Sequence, residues 1–387
     1  MLRHIRSLAL PLISITTLSV AAAPLAAQSA TLIQAQAGNP LGDRFRVDSG
    51  GGFVAFGFAR DVGNTTGCAS QLPATGAGTR FMWLPCRGSV RFGRVPMGQT
   101  NWDDANLDDF TFAGGNQVTA SGYGAFAYGD QVTVSSTVGA GFGSGVTVSG
   151  TAGFSAGASN KCTGFACTAL GYTNHAGGQG SVAIGYRVTA NADYAVALGY
   201  RASNSGHTGT FVWGDESTTD SVRNQANNEF RIRASGGIKL RTSAAANAAP
   251  GASGNTGCDL PAGSGSWSCA SSRYVKENMA DVDGEDVLAK VHDIPVTTWN
   301  YITEGREVRH MGPFAQDFYS AFQLGTDSTS IGMVDINGVN LAAIKALEQR
   351  TTELKAAQLA LDEKMQRLEQ LEQRVARLET ALRKQSK

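Results

Sequence analysis

The feature that most constrains this chain is a glycine that returns every fourteen residues. Gly129, Gly143, Gly157, Gly171, Gly185 and Gly199 keep step, and the residue two before each is small: Ala127, Gly141, Ser155, Ala169, Ala183 and Ala197. The residue just before each is mostly apolar, running Tyr128, Phe142, Ala156, Leu170, Ile184 and Leu198. A second row passes through Gly122, Gly150, Gly164, Gly178 and Gly206, with Ser136 and Ala192 in its gaps. Repeats held in register at such a period mark a stacked architecture. Fourteen residues make two short strands and two tight turns, and each turn is expected to use glycine for its positive φ. One coil cannot bury its apolar side alone, whereas stacked coils cover one another and pair their backbones along the stack. The expected fold class is therefore mainly β, with a 14-residue-repeat β-solenoid over residues 111–214, of either hand.

The stretch SVAIGYRVTANADYAVALGYRASNSG, residues 181–206, resembles the head repeats of trimeric autotransporter adhesins. The resemblance extends over roughly 112–214 and is tightest from 164 to 206. It implies a trimeric β-roll, three chains packed about a threefold axis, and so a homotrimer. Adhesins of that family end in a membrane-anchoring β-barrel, and no such segment is expected here. The run GAGFGSG belongs to the same fourteen-residue lattice and lacks βαβ surroundings, which excludes a dinucleotide fingerprint.

The start of the chain, MLRHIR followed by SLALPLISITTLSVAAA and PLAAQSA, has the basic, apolar and small-residue order of a secretory signal. Residues 1–27 are expected to be removed, with cleavage after Ala27 or Ala30, and no later segment is expected to span a membrane as a helix. The expected location is exported: secreted, or at the cell surface or outer membrane. In such a compartment six cysteines favour disulfides. They fall into neighbouring pairs, Cys68–Cys86, Cys162–Cys167 and Cys258–Cys269, and zinc is disfavoured because no CxxC spacing occurs.

Residues 31–110 form a β-rich N-terminal region, in which FRVDSGGGFVAFGFA has hairpin alternation and TRFMWLPCRGSVRFGRV has that of two more strands. Four aspartates in TNWDDANLDDFTFAGG suit turns better than a calcium loop. After the repeat, NEFRIRASGGIKLRTS suggests a β-hairpin over 215–242, turning at Gly236 and Gly237, and 243–270 has the composition of a linker.

From 271 onward charge and helical periodicity appear. A helix is expected in GEDVLAKVHDI, a strand in VTTWNYI, a short helix after HMGPFAQDF, and a strand, turn and helix through SIGMVDINGVNLAAIKALEQR. Leu347, Leu354, Leu361, Leu368, Val375 and Leu382 recur every seven residues, so 347–387 is expected to be a long α-helical coiled coil. The companion row changes from Ile344 and Met365 to Leu371 and Leu378, which implies a stammer.

SSRYVKEN, HMGPFAQDF and GVNLAAIKALEQR, in that order, resemble the intramolecular chaperone of phage endosialidases and tail spikes. Ser271, Arg273, Lys276, Glu277 and Asn278 match its first motif, and His310, Gly312, Ala315 and Gln316 match its second. Ser272 stands where that family usually has aspartate. The resemblance implies a small α+β chaperone domain over 271–346 that trimerises the chain and then cuts itself off between Ala270 and Ser271. It also implies a Ser271–Lys276 catalytic dyad, and leaves Arg273, His310 and Gln316 as motif residues without assigned roles. By itself, Ser-x-Arg-x-x-Lys is also an ordinary helix start with Ser271 or Ser272 as its cap.

These features order the function classes. Zero net charge and 17% charged residues argue against a nucleic-acid partner. No paired carboxylates suggest a glycosidase, and no cofactor or metal is expected. The leading expectation is an exported trimeric fibre that processes itself; the alternative is an uncut surface fibre or adhesin. Its partners would be its own copies and, at the head, a host-surface or glycan ligand.

Overall fold

The computed structural model describes residues 31–36, 43–48, 53–55, 72–244 and 256–385. The expected signal segment and Cys68 lie outside them, so the Cys68–Cys86 pairing does too. The chain divides into two compact units, with the division in the described chain falling between Ala270 and Ser271.

The first unit is mainly β. Near its N-terminus, strands Thr31–Gln36, Asp43–Asp48 and Phe53–Ala55 make an antiparallel sheet, which includes the hairpin expected around residue 50. The solenoid follows. Its longer strands, from Phe112–Asn116 through Phe126–Asp130 and on to Val196–Tyr200, pair in parallel one coil apart. The shorter strands, from Thr119–Ala120 to Val222–Arg223, build a second parallel sheet. The stack has about seven turns. It runs past the expected end at 214, because Phe230–Arg233 pairs in parallel with Phe211–Gly214.

The core between the two sheets is a narrow tube of small residues. Ala127, Ala169, Ala183 and Ala197 in one column and Val132, Val146 and Val188 in another are fully buried. Asn160 and Asn174 stand in the valine column without breaking it. The Asn174 side-chain amide donates to Leu170 O at 2.6 Å and Gly185 O at 2.7 Å, and its oxygen accepts from Val188 N at 2.8 Å. Buried amides are tolerated when their polar atoms are paired in this way. Cys162 and Cys167 are disulfide-bonded inside one coil and buried.

The glycine rows have two physical causes. Gly143 has φ +117°, and a Cβ there would lie 1.9 Å from Gly157 O of the next coil. Gly164 has no positive φ, yet its Cβ would lie 2.0 Å from Gly178 O. Close approach of stacked backbones therefore demands glycine at both of these positions, whereas Ser136 and Ala192 show that the second row also admits small side chains. The left-handed turn positions fall elsewhere, often on residues with side chains: Gln131, Ser159, Thr173, Arg187 and Arg201 have φ between 50° and 57°. Each donates its amide to the coil before, as from Thr173 N to Ala158 O at 2.9 Å, which holds a conformation that costs an L-residue about 1–2 kcal/mol. The expectation that turns use glycine is corrected on this point.

The N-terminal end of the tube is plugged. Ser89–Val95 joins the ladder in parallel with Phe112–Asn116 and is backed antiparallel by Gly78–Leu84. Arg91, in register with Ala113, is fully buried, and its guanidinium donates to Thr111 O, Thr111 Oγ1 and Ala120 O. Burial, with Arg87 nearby adding to it, pulls its pKa down to about 10. Trp102 closes the same end by donating its indole N–H to Val118 O. Of the four aspartates, Asp104 pairs with Arg87 and Asp103 accepts from Gly76 N.

Two expectations fail between the solenoid and the second unit. Residues 215–242 are not a hairpin: Phe230–Arg233 stays with the last coil, anchored by the Arg233–Asp215 ion pair, while Gly237–Arg241 pairs antiparallel with Gly257–Pro261. Alternation of period two shows that a segment pairs, not with which neighbour. Nor is all of 243–270 linker, because Gly257–Pro261 and Ser268–Cys269 are strands of a three-stranded sheet that the Cys258–Cys269 disulfide ties together.

The second unit holds helix α1 (Gly284–Asp293), a strand pair Thr297–Trp299 and His310–Gly312, helix α2 (Ala315–Phe322) and helix α3 (Met333–Gln385). Asp283 caps α1 by accepting from Glu285 N at 2.9 Å and Asp286 N at 3.3 Å. Val287, Phe318, Val339 and Ala343 form its small core. The expected strand and turn after Ser330 are instead the start of α3. Ile336, Val339 and Ala343 fall on one helical face against α1 and α2, and that packing outweighs Gly338.

Candidate autoprocessing site

Ser271 opens the second unit, and the next residues turn sharply. Ser272 has extended backbone and accepts from Tyr274 N at 3.3 Å, capping a 3-10 turn over Arg273–Val275. That turn brings Lys276 back toward Ser271, and Lys276 Nζ donates to Ser271 Oγ at 2.9 Å. The two readings of the motif thus divide between neighbours. Ser272 is the cap, and the Ser271 hydroxyl is left for the lysine. Both dyad residues are exposed in the single chain, as is Arg273 within the turn.

The amine can act as a base only when neutral, and desolvation is the usual cause of a neutral lysine. Exposure means that this desolvation is not supplied by one chain. Apolar side chains around it are also unpartnered: Tyr274 is 93% exposed and Met279 67%.

The described contacts of His310 are with residues other than the dyad. On the strand pair it stands opposite Trp299, its Nε2 lies 3.0 Å from Glu304 Oε2, and its ring packs 4.8 Å from that of Trp299. Glu304 also accepts from Tyr301 N, and this bond, ahead of the contact with His310, holds its carboxyl below the usual carboxylate range. Glu304 was not among the expected site residues; its signal was its place in the turn between the paired strands. Gln316 is exposed on α2. No described hydrogen bond joins His310 or Gln316 to Ser271 or Lys276.

Upstream, Ala270 N donates to Gly257 O at 2.9 Å, and Cys269 beside it is bonded to Cys258. Two of the three expected cysteine pairs are therefore formed. Among the described residues no helix is long and apolar enough to cross a membrane.

Comparison with known families follows the same division. Residues 271–324 match the family model described as chaperone of endosialidase. Residues 168–187 and 189–202 match two copies of the YadA head domain repeat. No curated protein matches the chain. The chain therefore combines a solenoid similar to the YadA head domain repeat with a segment, opening at Ser271, similar to the chaperone of endosialidase.

Proposed function

We propose that this is an exported, homotrimeric, adhesin-like fibre whose C-terminal unit brings three chains together and then cuts itself away between Ala270 and Ser271. The observation that carries the reading is the 2.9 Å hydrogen bond from Lys276 Nζ to Ser271 Oγ at the first residue of the chaperone match.

The chemistry is an acyl shift followed by hydrolysis. Neutral Lys276 takes the proton of Ser271 Oγ, and the oxygen attacks the carbonyl carbon of Ala270. The C–N bond to Ser271 breaks, the lysine returns the proton to the departing nitrogen, and an ester joins Ala270 to Oγ. Water then opens the ester, leaving a carboxylate on Ala270 and a free hydroxyl and amine on Ser271. Trimer assembly supplies the burial that keeps the lysine neutral, which ties the cut to correct folding.

Trimerisation is supported by the apolar surface of the single chain. The outer side of the longer strands presents Phe126, Tyr128, Phe154, Ile184 and Tyr186 to solvent. Along α3, Leu347, Leu354, Leu361, Leu368, Val375 and Leu382 are each at least half exposed. Contiguous apolar surface on this scale marks an interface. Intact mass and N-terminal sequencing of purified full-length chain test the reading: a fragment beginning at Ser271 is expected, and a trimer that stays intact indefinitely overturns the cut.

A second reading, a trimerisation module that never cuts, is favoured by the solvent exposure of Lys276. The same mass measurement separates the two.

A further inference from the structure

We propose that the Cys258–Cys269 disulfide is a positioning device for the cut, and that scission is gated by its oxidation. The inference rests on the self-processing reading. The nucleophile and base lie downstream of the scissile bond, but the carbon they attack belongs to Ala270. That carbon is held by its own strand. Ala270 N donates to Gly257 O, and Cys269, one residue earlier, is bonded to Cys258 directly opposite it.

The strand is only two residues long, Ser268–Cys269, and pairs on one side, with Gly257–Pro261. So short an edge holds few hydrogen bonds, and the crosslink is what keeps it docked. Its support is better secured: Gly257–Pro261 pairs over five residues with Gly237–Arg241, and Arg241 forms an ion pair with Asp259. The disulfide thus ties the acyl side of the bond to a fixed strand. Without it the chain from Ala262 to Ala270 is free to swing, and misplacement of a reacting carbon by about 1 Å costs on the order of 100-fold in rate.

Access makes the bridge a gate. Cys269 is exposed and Cys258 half-buried, whereas Cys162 and Cys167 lie inside the solenoid. A thiol reductant therefore reaches the bridge beside the cut first. Closing it releases two electrons and two protons from the thiols to a disulfide oxidant, as an oxidising compartment supplies. The scission itself is redox-neutral and consumes one water. After the cut, the new Ala270 carboxylate stays on the locked strand, so the mature fibre ends in a crosslinked edge.

The test refolds full-length chain from denaturant with oxidised glutathione or with dithiothreitol, and follows the fragment beginning at Ser271. Oxidised chain is expected to cut about 10- to 100-fold faster than reduced chain, with the same new N-terminus and the same pH profile, since the dyad is untouched. C258S/C269S in oxidising buffer should match the reduced chain, C162S/C167S should cut at the wild-type rate, and adding oxidised glutathione to reduced trimer should restore the fast rate. Equal rates in both redox states, or equal slowing by C162S/C167S, overturn the positioning role and leave the cut standing. No fragment in either state, as with S271A, overturns the cut and this inference with it.

Discussion

The side-chain oxygen of Asn160 accepts from the backbone amide of Asn174 at 2.8 Å, one coil further along the same interior column. Asn174 repeats the contact to Val188. These two amides act as interior rungs that satisfy backbone groups a valine leaves alone. Asn174→Ala removes a donor from Leu170 O and Gly185 O and the acceptor from Val188 N, and should cost about 1–3 kcal/mol for the lost buried hydrogen bonds. Asn174→Asp should cost more at neutral pH, because it buries an unpaired charge. Calorimetric melting of the refolded protein measures both.

The glycine ladder gives a contrast between positions of equal φ sign. Gly143→Ala places a methyl 1.9 Å from a backbone oxygen that cannot move without breaking the stack. It should destabilise by more than about 3 kcal/mol, combining overpacking with a left-handed backbone. Gly206 has φ +85° but open space around it, and Gly206→Ala should cost about 1–2 kcal/mol. Denaturant midpoints for the two variants should differ in this order.

The dyad is tested by replacement of each partner. S271A and Lys276→Met should leave the chain whole while preserving the trimer. Lys276→Arg keeps the charge and the reach, yet it should also fail, because a guanidinium does not lose its proton in proteins. Intact mass reads the cut, and sedimentation reads the trimer.

Acid should act on the second unit through Asp327. Its carboxylate accepts from Thr329 Oγ1, Thr329 N and Ser330 N, and the Thr329 side-chain bond leads in holding its pKa down to about 2, against an ordinary 3.8. A depressed pKa means that the stabilisation is fully present above the unfolded value and is lost as pH falls through the folded one. The loop from Thr326 to Ser330 should therefore loosen between pH 3.8 and about 2, and Asp327→Asn should remove that transition. Carbon-13 titration of the carboxyl measures the midpoint.

Along α3, Leu361→Asp puts a charge on the seven-residue apolar row, where Leu361 is 52% exposed in the single chain. Each copy loses the burial of a leucine, about 1.5–3 kcal/mol, and sedimentation should show a shift toward monomer.

The fourteen-residue period determined the solenoid from sequence alone, because each unit repeats the same small, apolar and glycine positions and parallel stacking is how such units bury them. The resemblance carried by the three C-terminal motifs implied a pairing of Ser271 with Lys276, and the local 3-10 turn needs no distant contact to bring the two side chains together. Tertiary structure decided what local pattern cannot carry. It assigned Phe230–Arg233 to the last coil and Gly237–Arg241 to another sheet, since alternation is blind to the partner strand. It ran α3 straight from Met333, since the faces of α1 and α2 select a helix there. It also separated the causes of the glycine rows, which depend on how closely one coil's backbone rides on the next.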